Sequence, residues 1–366
     1  MTIARAAVDL MATPSLAIDL DAAQRNIGVA VDLVRRGAAK LRPHFKAHKT
    51  TSLMRLQIEA GGCCGITCAT AHEALVLAEA GFDDILVANQ VAEKAGLVVL
   101  AQAAKLKRIT VAVDCFEHVE MLEETARAYH VRFGVLIEVD VGMGRCGLNF
   151  GSSRLLPLAA EVRASSRLDF LGLQGYEGHA VVREDRAVRN ALAWQSAEAL
   201  RHEKKRIELG GIPCPVISGG GTGTLDFANA HGVLTEIQAG SYVLMDAVYS
   251  DVGVGFENAL YCCTTLISRR EPAAAVLNAG LKSMSGEYGP PRSADGDFTV
   301  LGLSDEHTRI RPRSDWGAKI GDPVLLIPAH VDPTMNLHEF VFACSGNGTV
   351  QKWRVDGRRA ASPSLL

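Results

Sequence analysis

The chain has no uncharged apolar run approaching the ~20 residues that span a bilayer, no pair of CxxC knuckles, no internal repeat and no low-complexity tract. It has little net charge: 38 basic against 41 acidic residues leave −3, so no electrostatic footprint for nucleic acid or an anionic membrane is present. The stretch Met1 to Thr13 is apolar but broken by Asp9 and has no clear cleavage site, so a secretory leader is not expected. Nine cysteines, scattered and partly adjacent (Cys63-Cys64, Cys262-Cys263), indicate neither a disulfide frame nor a zinc ribbon. A reducing cytoplasm fits that usage best. The glycine-rich run Ser218 to Thr224 is neither a Walker motif nor GxGxxG.

What is present is the mix of an ordinary globular protein: 48% hydrophobic and 22% charged residues over 366 positions. That length accommodates one barrel of roughly 250 residues plus a smaller companion. From about Leu41 to Gly240, β-type runs alternate with amphipathic helical stretches. The runs are Lys40-Pro43, Gly65-Cys68, Ile85-Ala88, Ile109-Val113, Val135-Val139, Leu168-Gln174, Pro215-Ser218 and Thr235-Gln238. Helices are expected at Ser52-Ala60, Ala71-Ala80, Val91-Ala104, His118-Tyr129 and Arg186-Glu208, with Asp21 and Thr51 as N-caps and Gly61 and Gly81 at C-cap positions.

Strand-helix alternation implies a parallel sheet, and eight units suggest closure into a (β/α)8 TIM-type barrel, with a doubly wound open sheet as the competitor. After about Phe256 strands follow one another without helices, which suits a mostly antiparallel β domain. The orphan run Leu16-Leu20 is assigned to that second domain, so the expected division is a barrel over 22–250 and a β domain over 1–21 and 251–366.

Barrel enzymes place their chemistry where strands end. After the first barrel strand, Arg42-Pro43-His44-Phe45-Lys46-Ala47-His48-Lys49 crowds two lysines and two histidines together. A lysine held among cationic groups can become the neutral amine that attacks a carbonyl; a solvated basic turn is the bland alternative. After the fifth, Glu138-Val139-Asp140 leads into a glycine-rich loop with Arg145, a fixed positive fork. After the sixth, Tyr176 could flank a flat ring, with Glu177 and His179 beside it. After the seventh, Ser218-Gly219-Gly220-Gly221-Thr222-Gly223-Thr224 offers successive N–H groups and hydroxyls, a nest for phosphate that Ser241 and Tyr242 could complete. In the second domain His330 and Asp332, read as i and i+2 on an extended segment, could hold one divalent ion, with an exposed turn as the commoner explanation. Ser304-Asp305-Glu306-His307 is a further polar cluster that either orients those ligands or is a solvated loop.

Taken together these clusters resemble the alanine-racemase-like (fold type III) enzymes that use pyridoxal 5'-phosphate (PLP). Within them the chain resembles the D-threonine aldolase and D-serine dehydratase family. Five blocks match in order: the Arg42-to-Lys49 lysine motif, Glu138 to Gly147, Ser218 to Gly223, Ala239 to Tyr242 with Met245-Asp246, and Pro328 to His338. The resemblance implies that Lys46 carries PLP, that Arg145 and Tyr176 approach its ring, and that Ser218, Gly220, Gly221, Thr222, Gly223, Ser241 and Tyr242 hold the cofactor. It implies a divalent metal on His330 and Asp332, Mn²⁺ or Mg²⁺ by ligand type with Zn²⁺ as the alternative, and a head-to-tail homodimer. Dehydratases of the family typically place Cys where Asp332 stands, so the branch implied is the aldolase.

The activity implied is cleavage of a D-configured β-hydroxy-α-amino acid to glycine, or a substituted glycine, and an aldehyde, with His179 or His44 as base. A D-serine or 3-hydroxy-D-aspartate dehydratase, an amino-acid racemase and a plain phosphate-binding barrel are the other readings. Two departures stand out. Aldolase members read Tyr-His-Gly-Ser where this chain reads Tyr176-Glu177-Gly178-His179, and their Cys-Cys-Gln is here Thr67-Cys68-Ala69.

Overall fold

The run Ile109–Val113 is buried at all five positions, and Ile85–Val87 beside it and Ile66–Cys68 beyond that are buried at all three. Strands covered on both faces are the mark of a parallel sheet beneath helices. The computed structural model describes Val8, residues 11–271 and residues 274–358.

Two compact units emerge, one of residues 11–29, Ala47–Leu53 and Ser241–Arg358, the other of Ala30–Lys46 and Met54–Gly240. β1 (Ser15–Asp19) lies in the first and β2 (Lys40–Leu41) opens the second. β3 (Ile66–Cys68), β4 (Ile85–Val87), β5 (Ile109–Val113), β6 (Phe133–Asp140), β7 (Leu148–Asn149), β8 (Leu168–Gly175), β9 (Val216–Gly219) and β10 (Glu236–Ile237) follow. The order β2-β10-β9-β8-β6-β5-β4-β3 is parallel throughout, with β7 a short addition to β6. Parallel bridges Leu41↔Cys63 and His44↔Thr67 join the first segment to β3 and the residues just before it. The eight-strand order therefore returns to its start, and the barrel reading holds against the open sheet.

Helices follow the strands as the spacing predicts, among them Thr51–Glu59, Ala71–Glu79, Lys94–Leu106, Phe116–Tyr129 and Arg186–Leu209. Gly61 and Gly81 take positive φ (85° and 90°) just past their helices, the conformation that a C-terminal cap needs. The N-caps differ from expectation. Helix Leu20–Arg35 begins before Asp21, because Asp19 Oδ1 accepts the Ala22 N–H at 3.0 Å and caps the helix one residue after β1 ends. Thr51 is the first helical residue and donates its N–H to Asp356 (2.9 Å).

In the other unit β11 (Leu260–Glu271), β12 (Ala274–Leu277), β13 (Arg292–Ser293), β14 (Phe298–Leu303), β15 (Thr308–Pro312), β16 (Pro323–Ile327), β17 (Phe340–Cys344) and β18 (Val350–Arg354) pair antiparallel. β1 sits within this sheet, antiparallel to β11 and parallel to β17, wholly buried. The orphan strand is thus part of the β domain. β15 was not legible: only Thr308 and Ile310 point inward, between Arg309 and Arg311.

Candidate active site

In a closed parallel barrel the segments that follow strands share one mouth. Three of them interlock there. The loop after β6 carries Gly142, whose φ of 121° and missing side chain let the His179 ring approach; a Cβ there would lie 2.9 Å from His179 Cε1. Its Arg145 guanidinium lies over the Tyr176 ring, 5.5 Å from the centroid. The segment after β8 in turn presses onto the glycine loop after β9: a Cβ on Gly223 would stand 1.7 Å from the Val181 carbonyl oxygen. The sequence-predicted Arg145, Tyr176, His179, Gly220, Gly221, Thr222 and Gly223 are therefore brought together.

Glu177 ties the assembly down. One carboxyl oxygen meets the Thr224 hydroxyl at 2.6 Å and the other accepts the Gly220 N–H at 3.2 Å. The Thr224 hydroxyl also accepts the Gly221 N–H at 3.1 Å. Burial pushes the Glu177 carboxyl above the ordinary carboxylate range. Sequence reading assigned Glu177 only as a polar neighbour; its buried position, three residues after Gln174 at a strand end, gave no further signal.

Lys46 sits half-buried in the single turn Phe45–Ala47 directly after β2. His44 is buried just before it, its N–H donating to the Ala239 carbonyl at 3.0 Å. Ser218, at the end of β9, has its hydroxyl engaged by Gln238 Nε2 (2.7 Å), which also reaches Gln174 (3.2 Å). Glu138 receives Gln90 Nε2 at 2.6 Å, and burial raises its pKa. Gln90, Gln174 and Gln238 are polar residues at the barrel that the sequence did not single out.

The other unit holds Ser241 and Tyr242 in the turn Ser241–Val243, with Tyr242 buried 5.6 Å from the Phe256 ring. His330 and Asp332 do not lie on an extended segment as expected. β16 ends at Ile327, His330 is extended (φ −141°, ψ 123°) at the N-cap, and Asp332 is in the first turn of helix Val331–Leu337. The turn still brings them close: His330 Nε2 is 3.9 Å from Asp332 Oδ1. His330 Nδ1 is paired with Glu287 at 2.8 Å, and Asp246 accepts the Val331 N–H at 3.0 Å. Burial pushes the Asp246 carboxyl up to about 6. The orienting partner of His330 is Glu287, not the Ser304–His307 cluster. That cluster is a turn between β14 and β15: Ser304 N–H donates to the His307 carbonyl, and Lys282 pairs with Glu306 at 3.0 Å.

Both implied groups fit these residues. The glycine loop after β9 runs against the Tyr176 ring (a Cβ on Gly221 would stand 3.5 Å from its Cε2), and the Arg145 guanidinium covers that ring, so the loop, an aromatic face and a positive fork converge as a planar anionic cofactor needs. An imidazole whose Nδ1 is fixed by a carboxylate presents Nε2 beside a second carboxylate, the arrangement of a divalent metal ligand pair.

Comparison with known proteins agrees. Residues 18–248 match the family "Alanine racemase, N-terminal domain", and residues 259–344 match "Putative serine dehydratase domain". The fold and site thus define an alanine-racemase-like enzyme. The chain is 36% identical to the D-threonine aldolase of Arthrobacter sp, over 94% of this chain and 92% of that protein. It is 33% identical to the 3-hydroxy-D-aspartate aldolase of Paracoccus denitrificans, with the same coverage of 94% and 92%. The crystal structure of D-threonine aldolase from Filomicrobium marinum superposes with a TM-score of 0.91 at 33% identity, covering 95% of each chain. The chain belongs to the D-threonine aldolase and D-serine dehydratase family. Among the described residues no helix is long and apolar enough to cross a membrane.

Proposed function

We propose that this chain is a PLP- and divalent-metal-dependent aldolase that cleaves D-configured, threonine-like β-hydroxy-α-amino acids to glycine, or a substituted glycine, and an aldehyde. The observation that carries the reading is the His330–Asp332 pair, with Glu287 fixing the imidazole. When bound, PLP supplies a sink for the electrons left at Cα, and a divalent ion supplies a Lewis acid for the β-hydroxyl.

The chain's own residues do the rest. Lys46 provides the amine that holds the cofactor covalently. The Thr222-Gly223 part of the loop, with Ser218, holds its phosphate, the Gly220 and Gly221 N–H groups being given to Glu177 and Thr224, and Arg145 and Tyr176 position its ring. Ser241 and Tyr242 are assigned further cofactor contacts. His179 takes the β-hydroxyl proton as the Cα–Cβ bond breaks, the electron pair passes to Cα, and Cα is protonated to give the glycine product. Its Nδ1 is buried and has no hydrogen-bond partner among the described residues, so the ring is not committed elsewhere. His44 is the second candidate base. The ligand types favour Mn²⁺ or Mg²⁺ over Zn²⁺. The reading also includes a homodimer, a cytoplasmic location and a small D-amino acid as substrate, with no nucleic acid or membrane partner.

The match of residues 259–344 to a putative serine dehydratase domain favours a second reading, β-elimination to a 2-oxo acid and ammonia. One experiment separates them. The purified protein with PLP and Mn²⁺ is incubated with D-threonine, D-serine and D-phenylserine, and aldehyde and ammonia are assayed with and without EDTA. Aldehyde that disappears with EDTA is expected; ammonia without aldehyde defeats the proposal.

A further inference from the structure

β5 ends at Val113, and the next five residues turn into helix Phe116–Tyr129. Asp114 closes the strand, Cys115 is the helix N-cap residue, and His118 lies in the first turn, three positions on. Residues at i and i+3 face the same side of a helical turn. The result is a carboxylate oxygen, a thiol sulfur and an imidazole nitrogen all within 4.8 Å of one another. A tetrahedral ion with bonds of about 2.0–2.3 Å sets neighbouring ligand atoms about 3.3–3.8 Å apart, so the cluster needs only small side-chain rotations to close on an ion.

Three further observations point the same way. His118 Nδ1 is buried and makes no hydrogen bond of good geometry among the described residues, although Asp114 Oδ1 stands 3.1 Å from it. The other Asp114 oxygen is held by the Gly147 N–H at 2.8 Å, which fixes the carboxylate and leaves Oδ1 facing the imidazole. Cys115 is partly exposed, so an ion has a path in from solvent.

We propose that Asp114, Cys115 and His118 form a thiolate-containing divalent-metal site, suited to zinc and separate from the His330–Asp332 pair. On binding, the ion replaces the Cys115 thiol proton, which passes to solvent, and a water takes the fourth position. Because Gly147 ends the loop that carries Arg145, an ion here clamps the helix start to that loop.

The test uses the PLP-loaded full chain stripped of metal and titrated with Co²⁺. A thiolate-to-cobalt charge-transfer band in the near ultraviolet is expected at one equivalent per chain; His330 and Asp332 supply no thiol and cannot produce it. Cys115→Ser should abolish the band, His118→Gln should raise the Co²⁺ midpoint at least tenfold, and Zn²⁺ should displace the band. Independently of any variant, Zn²⁺ should slow iodoacetamide labelling of the Cys115 peptide at least tenfold, read by mass spectrometry. A band absent at millimolar Co²⁺, a band that survives Cys115→Ser, or labelling of Cys115 indifferent to Zn²⁺ overturns the proposal.

Discussion

Glu177 and Thr224 meet at 2.6 Å in a place where neither side chain is reached by solvent to any extent. The contact matters because the loop it holds is the one proposed to bind phosphate, and a fully ionised carboxylate beside a phosphate dianion would work against binding. Burial works against that conflict by raising the Glu177 carboxyl above the ordinary carboxylate range. The buried Glu177 carboxyl, its pKa raised by desolvation, thus braces the glycine loop through Gly220 and Thr224.

That brace has a pH signature. The folded-state pKa of Glu177 lies above its ordinary 4.5, so the folded state retains a proton that the unfolded chain loses. Stability from this group is therefore full below pH 4.5 and falls as pH rises toward the raised value, by about 1.4 kcal/mol for each pH unit of that window. Glu177→Gln removes the titration. Denaturant unfolding from pH 4.5 to 9 should show the variant gaining on the wild type as pH rises. Parallel stability profiles would refute the raised Glu177 pKa.

The cofactor assignment is tested at one atom. Reduction of the PLP-loaded chain with borohydride and peptide mapping should place the pyridoxyl label on Lys46, and Lys46→Ala should take up no label. Catalysis in the variant should fall by at least about 10³-fold, because the amine that holds and exchanges the cofactor is gone. A label on Lys49 or Lys40 instead would move the site.

Gly223 shows how tightly the nest is built. A methyl group there would meet backbone, the Val181 carbonyl at 1.7 Å, not a side chain that can rotate away. Gly223→Ala should cost about 1–3 kcal/mol in unfolding free energy, and should weaken PLP binding, measured by fluorescence titration, more than Gly232→Ala. The latter is the control for backbone strain without a steric clash, since nothing lies within 4 Å of a Cβ at Gly232, whose φ is positive while that of Gly223 is not. Equal losses in PLP affinity would argue against close packing of the two loops.

Much of this was legible in the sequence because it depends on period and punctuation. The apolar runs, the glycines after helices and the strand-to-loop motifs are local signals, and they placed Lys46, Arg145 and the glycine loop at strand ends. Contacts between residues far apart in the chain were not legible. Glu287 lies 43 positions from its partner His330, and Glu177 lies 47 from Thr224; neither spacing carries a pattern. Asp19 was missed as a cap because β1 runs directly into its helix with no polar loop between. The extended reading of His330 and Asp332 failed because Pro333 suits the first turn of a helix as well as a loop after a strand.

Glu287 gives the sharpest test of the metal assignment. It touches no predicted ligand atom; it fixes the His330 ring through Nδ1 at 2.8 Å, and so decides that Nε2 is the nitrogen left for an ion. Partners of this kind are worth about 10–100-fold in metal affinity. Glu287→Gln, whose amide oxygen can still accept the ring N–H, should weaken Mn²⁺ binding less than Glu287→Ala, and His330→Ala should weaken it most. Isothermal titration with Mn²⁺ on the metal-stripped variants gives the ranking, and the metal dependence of aldehyde release should follow it. Were Glu287→Ala to bind Mn²⁺ as tightly as the wild type, the His330 imidazole would not be the ligand, and the aldolase reading would lose the feature that sets it apart from racemization.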